Sequence, residues 1–225
     1  MTTSKPNAQH RILEAAERLL LQEGFHGVSV DRIIAAAGVS KGSFFYHFPT
    51  KDSLPAALLQ GFLDRQGTAM TALTEEAKAT TADPLARACQ VVEGLAPLFT
   101  HALQGAPGCV MAAFSYQLNE DFPELKKISQ AAIDGWRRHF GELFAPLTKD
   151  HPQLPSGEAL AEHLLCCLQG ASILARIQGD SAAVMEAARQ FNLYLTCLLH
   201  RAGPVSSENT TSAYTGAIVS PRQDL

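Results

Sequence analysis

The 225-residue sequence has no surplus of positive charge. Its 18 lysines and arginines face 22 aspartates and glutamates, a formal net charge of −4. As an average, that argues against nucleic-acid binding. Charged residues are only 18% of the chain and apolar residues 46%, too little charge and too much apolar content for a disordered protein. The five cysteines are an odd number and include no C-x-x-C pair, which argues against a disulfide scaffold or a zinc finger. No apolar run reaches the roughly eighteen residues of a membrane span. The first ten residues lack the apolar segment of a secretory signal. The expectation is a cytoplasmic protein with no membrane partner. A phosphate-binding glycine loop, G-x-S-x-G, H-E-x-x-H and a spaced acidic pair on strands are also missing, so neither an enzyme nor a cofactor is expected.

What is present is helical periodicity. Between Gln9 and Glu23, Ile12, Ala15, Ala16, Leu19 and Leu20 recur at three- and four-residue steps, one face of a helix. The residues predict short helices over 30–37, capped by Ser29 and stopped by Gly38, and over 41–48, broken by Pro49. Thr50 is expected to cap a fourth helix reaching about residue 78. Asp83 and Pro84 open a fifth to about 103, bent or divided at Pro97. Further helices are predicted over 109–119, 124–147, 158–178 and 181–202, with Gly179 ending the penultimate one. No stretch alternates with the two-residue period of a strand. The expected fold is all-α with nine helices. Residues 1–50 form a module of short helices, 51–202 a bundle of long ones, and 203–225 a Ser/Thr/Asn-rich mobile tail.

Residues 29–48 carry the most chemistry. Helix, short turn with glycine, helix is the helix-turn-helix arrangement. Gly38 sits where the first helix must end, Val39 can tuck between the helices, and Ser40 can cap the second. That second helix begins Lys41-Gly42-Ser43, small or basic residues able to approach base edges in a major groove, on a helix end whose dipole favours phosphate. Tyr46, His47 and Lys51 add donors for phosphate oxygens. Phe44, Phe45 and Phe48 read as core of the small module.

These residues also carry a resemblance. Arg11-Ile12-Leu13-Glu14-Ala15-Ala16, Glu23-Gly24-Phe25, Ser29-Val30, Ile33, the run Ala37 to Ser43, Tyr46-His47-Phe48 and Lys51 resemble, without a gap, the N-terminal domain of the TetR family of transcriptional regulators. The resemblance implies a homodimer on a palindromic double-stranded DNA operator. It implies repression, relieved when an unidentified small-molecule effector binds the C-terminal domain. It places Ser29, Lys41, Ser43, Tyr46, His47 and Lys51 where the family contacts DNA, with Ser40 and Gly42 beside them. Phe45 stands where the family usually has tyrosine. The alternative is a helical adaptor that kept the fold without DNA binding, and the presence of these basic and hydroxyl residues ranks it lower.

In the C-terminal part, Gly108-Cys109-Val110, Glu120, Pro123-Glu124-Leu125 and the run Leu168 to Arg176 are similar to a subgroup of TetR-like repressors, some of which respond to electrophiles or oxidants through a cysteine. Cys109 falls in the first turn of a predicted helix, which would favour its thiolate, and Arg176 would favour it further if near. The competing reading is a small apolar residue under the DNA-binding module. Cys89, Cys166, Cys167 and Cys197 read as core. His163, Cys166 and Cys167 share one helix at metal-ligand spacing, but a fourth ligand would have to come from elsewhere, and an interface histidine beside buried thiols is the favoured reading. Phe62, Met70, Phe99, Met111, Phe114, Tyr116, Trp136 and Phe140 are plausible pocket-wall residues. Leu164, Leu168, Ala171, Ile173 and Leu174, with Val184, Ala188, Phe191, Leu195 and Leu198, form broad apolar faces on the last two helices. They either build a four-helix interface between two copies or close the monomer core.

The charge then divides unevenly. The first 60 residues hold six basic against five acidic side chains, and the remainder twelve against seventeen. Lys41 and Lys51 bracket the second helix of the motif, and Lys5 and Arg11 stand at the leading arm.

Overall fold

The structure is a computed structural model and describes residues 7–23, 27–101 and 123–203. Among these residues there are eight α-helices and no strand: α1 Ala8–Glu23, α2 Val30–Ala37, α3 Lys41–His47, α4 Leu54–Thr80, α5 Pro84–His101, α6 Pro123–Thr148, α7 Gly157–Gln178 and α8 Ala182–Ala202. The helix expected over 109–119 and the tail beyond residue 203 lie outside the described residues.

The helix boundaries follow from local chemistry. The Ser29 and Ser40 hydroxyl oxygens accept from the amides of Arg32 and Ser43, three residues into the helices they start. Gly38 ends α2 at φ 61°, a left-handed conformation that costs a residue with a Cβ, and its amide donates back to Ala35. Asp83 caps α5 through both carboxylate oxygens, and Ser156 caps α7. One cap differs from expectation. Thr50 makes no side-chain cap; Lys51–Ser53 form a 3-10 turn and α4 begins at Leu54. Pro55 then lies in the first turn, where an amide hydrogen has no intrahelical partner to lose.

Two cores are continuous through α4. Ile12, Ala16, Ile33, Phe44 and Phe48 close the three short helices, and α4 adds Leu54 and Leu58 beneath them. Further along, α4 packs against α5 and α6. The pair α6–α7 approaches closely: a Cβ on Gly157 would lie 2.5 Å from the Gly141 carbonyl oxygen, so only glycine fits. Phe144 and Phe191 pack with centroids 5.7 Å apart, and Asn192 donates to the Cys89 carbonyl at 3.0 Å and to Glu93, tying α8 to α5.

This packing corrects the expected dimer residues. Leu164, Leu168, Ala171, Phe191 and Leu195 are all buried within the single chain, because the α7–α8 contact consumes that side of both helices. The outward side carries Ile173, Leu174 and Ile177 on α7 and Met185 and Leu193 on α8, all exposed. Cys166 and Cys197 are exposed, which corrects their reading as core, while Cys89 is half-buried and Cys167 is half-buried against the core. His163 packs edge-on against Phe191 and Tyr194. By length and composition alone α7 could cross a membrane, contrary to the sequence expectation, yet Leu160, Leu164, Leu168 and Ala175 bind it into the bundle.

Candidate nucleic-acid interface and effector cavities

The turn between α2 and α3 is held from outside the motif. Arg11 of α1 donates from Nη1 to the Gly38 carbonyl at 3.2 Å, so Arg11 positions the turn instead of extending as a leading arm. Arg32 of α2 forms a two-pronged ion pair with Glu23 at the end of α1. Neither role is visible in helical periodicity, since each joins residues on different helices. Phe44 is fully buried and meets Phe45 edge-to-face at 5.3 Å. Phe45 itself is exposed, which corrects its assignment to the core: it sits one residue beyond the inward position.

With Phe44 and Phe48 turned inward, α3 presents Ser40, Lys41, Gly42, Phe45 and Tyr46 outward, with Ser43 and His47 at the margin. Tyr46 is 84% exposed and its ring meets that of His47 edge-on. Lys41 lies 3.5 Å from Asp31 of α2, a solvent-exposed pair easily exchanged for a phosphate. The Ser29 and Ser40 oxygens accept from backbone amides, which leaves each hydroxyl hydrogen to donate outward. Lys51 stands in the turn entering α4, where burial lowers its affinity for a proton against the opposing pull of Asp52.

Gly42 is informative because nothing in the fold requires it. A Cβ there would meet no atom within 4 Å, and the residue is exposed in a helix, where glycine costs about 1 kcal/mol relative to alanine.

This face lies in a segment shared with known proteins. The profile described as "Bacterial regulatory proteins, tetR family" matches residues 12–58, the whole motif and the start of α4. The "HTH-type transcriptional repressor DhaR" of Mycobacterium sp. (strain GP1) is 25% identical over 179 residues, covering 77% of this chain and 84% of that protein. The "HTH-type transcriptional regulator RutR" of Escherichia coli (strain K12) is 45% identical over 53 residues, 24% of this chain and 25% of RutR. A TetR transcriptional regulator from Chloroflexus aurantiacus J-10-FL shares the fold with a TM-score of 0.69 at 20% identity, over 84% of this chain and 94% of that one. Residues 12–58 match the TetR family's DNA-binding segment. That segment contains the helix-turn-helix of α2 and α3, including the outward face of α3.

Two neighbouring cavities lie among the described residues of the bundle. The larger, about 650 Å³, is lined by Leu63, Met70, Ile128, Ala132 and Trp136, with Gln60, Glu124 and Lys127 also on its wall. The smaller, about 310 Å³, is lined by Thr74, Lys78, Arg87, Glu142 and Pro146 among others. Thr71 and His139 line both. Thr74 Oγ1 donates to the Met70 carbonyl at 3.0 Å and lies 3.0 Å from His139 Nε2; since its single hydrogen serves the carbonyl, the imidazole Nε2–H donates to Thr74. Burial holds the His139 ring below the usual histidine range, overcoming the upward pull of Glu142.

Of the residues read from sequence as sensor elements, Trp136 and Met70 line the larger cavity. Phe62 and Phe140 are buried core instead. Arg176 is exposed in the last turn of α7 and lines neither of these two cavities. Cys109, Met111, Phe114, Tyr116 and the side chain of Phe99 lie outside the described residues.

Proposed function

We propose that this TetR-family protein acts as a homodimer that represses transcription from a palindromic operator in the cytoplasm, and that a small molecule entering the α4–α6 cavities releases it. The observation that carries the reading is the outward face of α3. A lysine, a glycine the fold does not need, hydroxyl donors and a bare tyrosine stand together beside a turn fixed by Arg11. Ser29, Ser40, Lys41, Ser43, Tyr46, His47 and Lys51 are assigned to phosphate and base contacts, and Gly42 to close approach.

The dimer surface is assigned to the outward sides of α7 and α8. Ile173, Leu174, Ile177, Met185 and Leu193 expose apolar surface in an otherwise closed bundle, and pairing two copies through them builds a four-helix interface. Two copies also explain how so weakly basic a module binds DNA: each half-site contributes few charges, and the second contact is made at high effective concentration. The names of DhaR, a repressor, and RutR, a regulator, support the transcriptional reading.

The reading is tested by selecting bound duplexes from a random DNA pool with the purified full chain. Enrichment of an inverted repeat bound by a dimer supports it. A pool with no enriched sequence would leave a helical adaptor as the better account.

A further inference from the structure

We propose that the two cavities form one bipartite site for an amphipathic organic acid, with its apolar part along Trp136 and its carboxylate at Arg87. This rests on the reading that a small molecule acts on the bundle and names the chemistry of that molecule.

The larger cavity has an apolar wall of Leu63, Met70, Ile128, Ala132 and Trp136, suited to a hydrocarbon or aromatic body. Beyond the shared residues Thr71 and His139 the lining changes character. Lys78 and Glu75 neutralise each other at 2.8 Å. Glu142 is exposed and its charge is screened by water. Arg87 differs from both. Its Nη2 donates to the Thr81 carbonyl at 3.1 Å, but its Nε is shielded from solvent and has no hydrogen-bond partner. Among the described residues no carboxylate lies within ion-pairing distance of its guanidinium. Arg87 nevertheless lines the smaller cavity, and a carboxylate is the ligand group whose charge and geometry match a guanidinium on its wall. His139 marks the passage. Its Nε2–H is committed to Thr74 and burial keeps it neutral, so it adds no second cation, and the acid is held by Arg87.

Trp136 is the only tryptophan in the chain, so its fluorescence reports on the larger cavity directly. The full-length protein is titrated with decanoate and with decanol, which share the apolar body and differ in the head group. The site predicts saturable binding of decanoate, about tenfold or more tighter than decanol, and an Arg87→Gln variant that loses this preference while binding decanol as the wild type does. Equal binding of the two probes by the wild type, or an unchanged preference in Arg87→Gln, overturns the proposal. Because Arg87 also holds the turn at Thr81, Thr71→Phe serves as a second variant. Filling the wall between the cavities should remove the preference for decanoate without touching Arg87, and a preserved preference counts against a joined site. Operator binding is read separately. An Arg87-dependent decanoate site that leaves DNA bound keeps this assignment and removes the effector role.

Discussion

Arg65 of α4 holds Glu17 of α1 through both carboxylate oxygens, with Nη2 2.9 Å from Oε1 and 2.8 Å from Oε2. The pair joins the DNA-side helices to the helix whose Gln60, Leu63, Gly67 and Met70 line the larger cavity. A shift of α4 around a bound molecule is therefore passed to α1, and α1 carries the Arg11 that fixes the α2–α3 turn. Burial raises the Glu17 carboxyl above the ordinary range, and the attraction of Arg65 offsets this only in part. The pair serves connection more than stability.

Removing Arg65 leaves a shielded carboxylate alone. Arg65→Ala should cost on the order of 1 kcal/mol near neutral pH. The raised carboxyl sets the sign: its protonated form is favoured in the fold, so the penalty is present at neutral pH and fades as acid protonates Glu17. Thermal melts of wild type and variant should converge on acidification; a gap that widens in acid would refute the assignment.

His139 has the opposite sign. Its folded affinity for protons is depressed by burial, so the stability it contributes is present above the ordinary histidine value of about 6.5 and is lost as pH falls through and below it. His139→Gln keeps a donor for Thr74 and removes the proton. The variant should lose less stability than wild type between about pH 7.5 and 5.5, measured by chemical denaturation.

The two recognition lysines should separate. Lys51→Ala should weaken binding to all duplexes alike and lower the slope of log affinity against log salt by about 1 per copy. Asp31→Asn should tighten binding, because Asp31 competes with phosphate for Lys41 across 3.5 Å. Titrations at several salt concentrations check both, and an Asp31→Asn variant that binds more weakly would place Lys41 elsewhere.

Core and interface substitutions on α7 should also separate. Leu164→Ala empties part of a fully buried site and should cost about 2–5 kcal/mol. Ile177→Glu, at a residue 76% exposed, should leave the helices intact and convert the dimer to a 24.2 kDa chain by light scattering. A dimeric Ile177→Glu protein would move the interface off this face.

Much of this was legible in the residues. Ser29, Gly38, Ser40, Asp83 and Gly179 mark helix ends because their chemistry is local, and each acts where it was read. The outward face of α3 was legible for the same reason, as a short segment whose inward positions are Phe44 and Phe48. What failed was any assignment that needed a partner helix. Leu164 and Phe191 looked like interface because an apolar stripe does not say which neighbour covers it. Glu17, Arg65 and Arg87 gave no signal, and Arg11 was read as part of a leading arm, because their roles depend on contacts between residues far apart in the chain. Net charge misled at the outset, since its average over 225 residues hides where Lys41 and Lys51 stand.

Gly42 tests the central claim most directly. A side chain there meets nothing within the protein, so Gly42→Leu should fold and dimerise as the wild type does, with stability unchanged or slightly raised. Anisotropy titrations of the selected operator should show the variant weakened about a hundredfold or more, the loss expected when a bulky group blocks close approach to a groove. If the folded, dimeric Gly42→Leu protein binds the operator as tightly as the wild type, the outward face of α3 is not the surface that reads DNA.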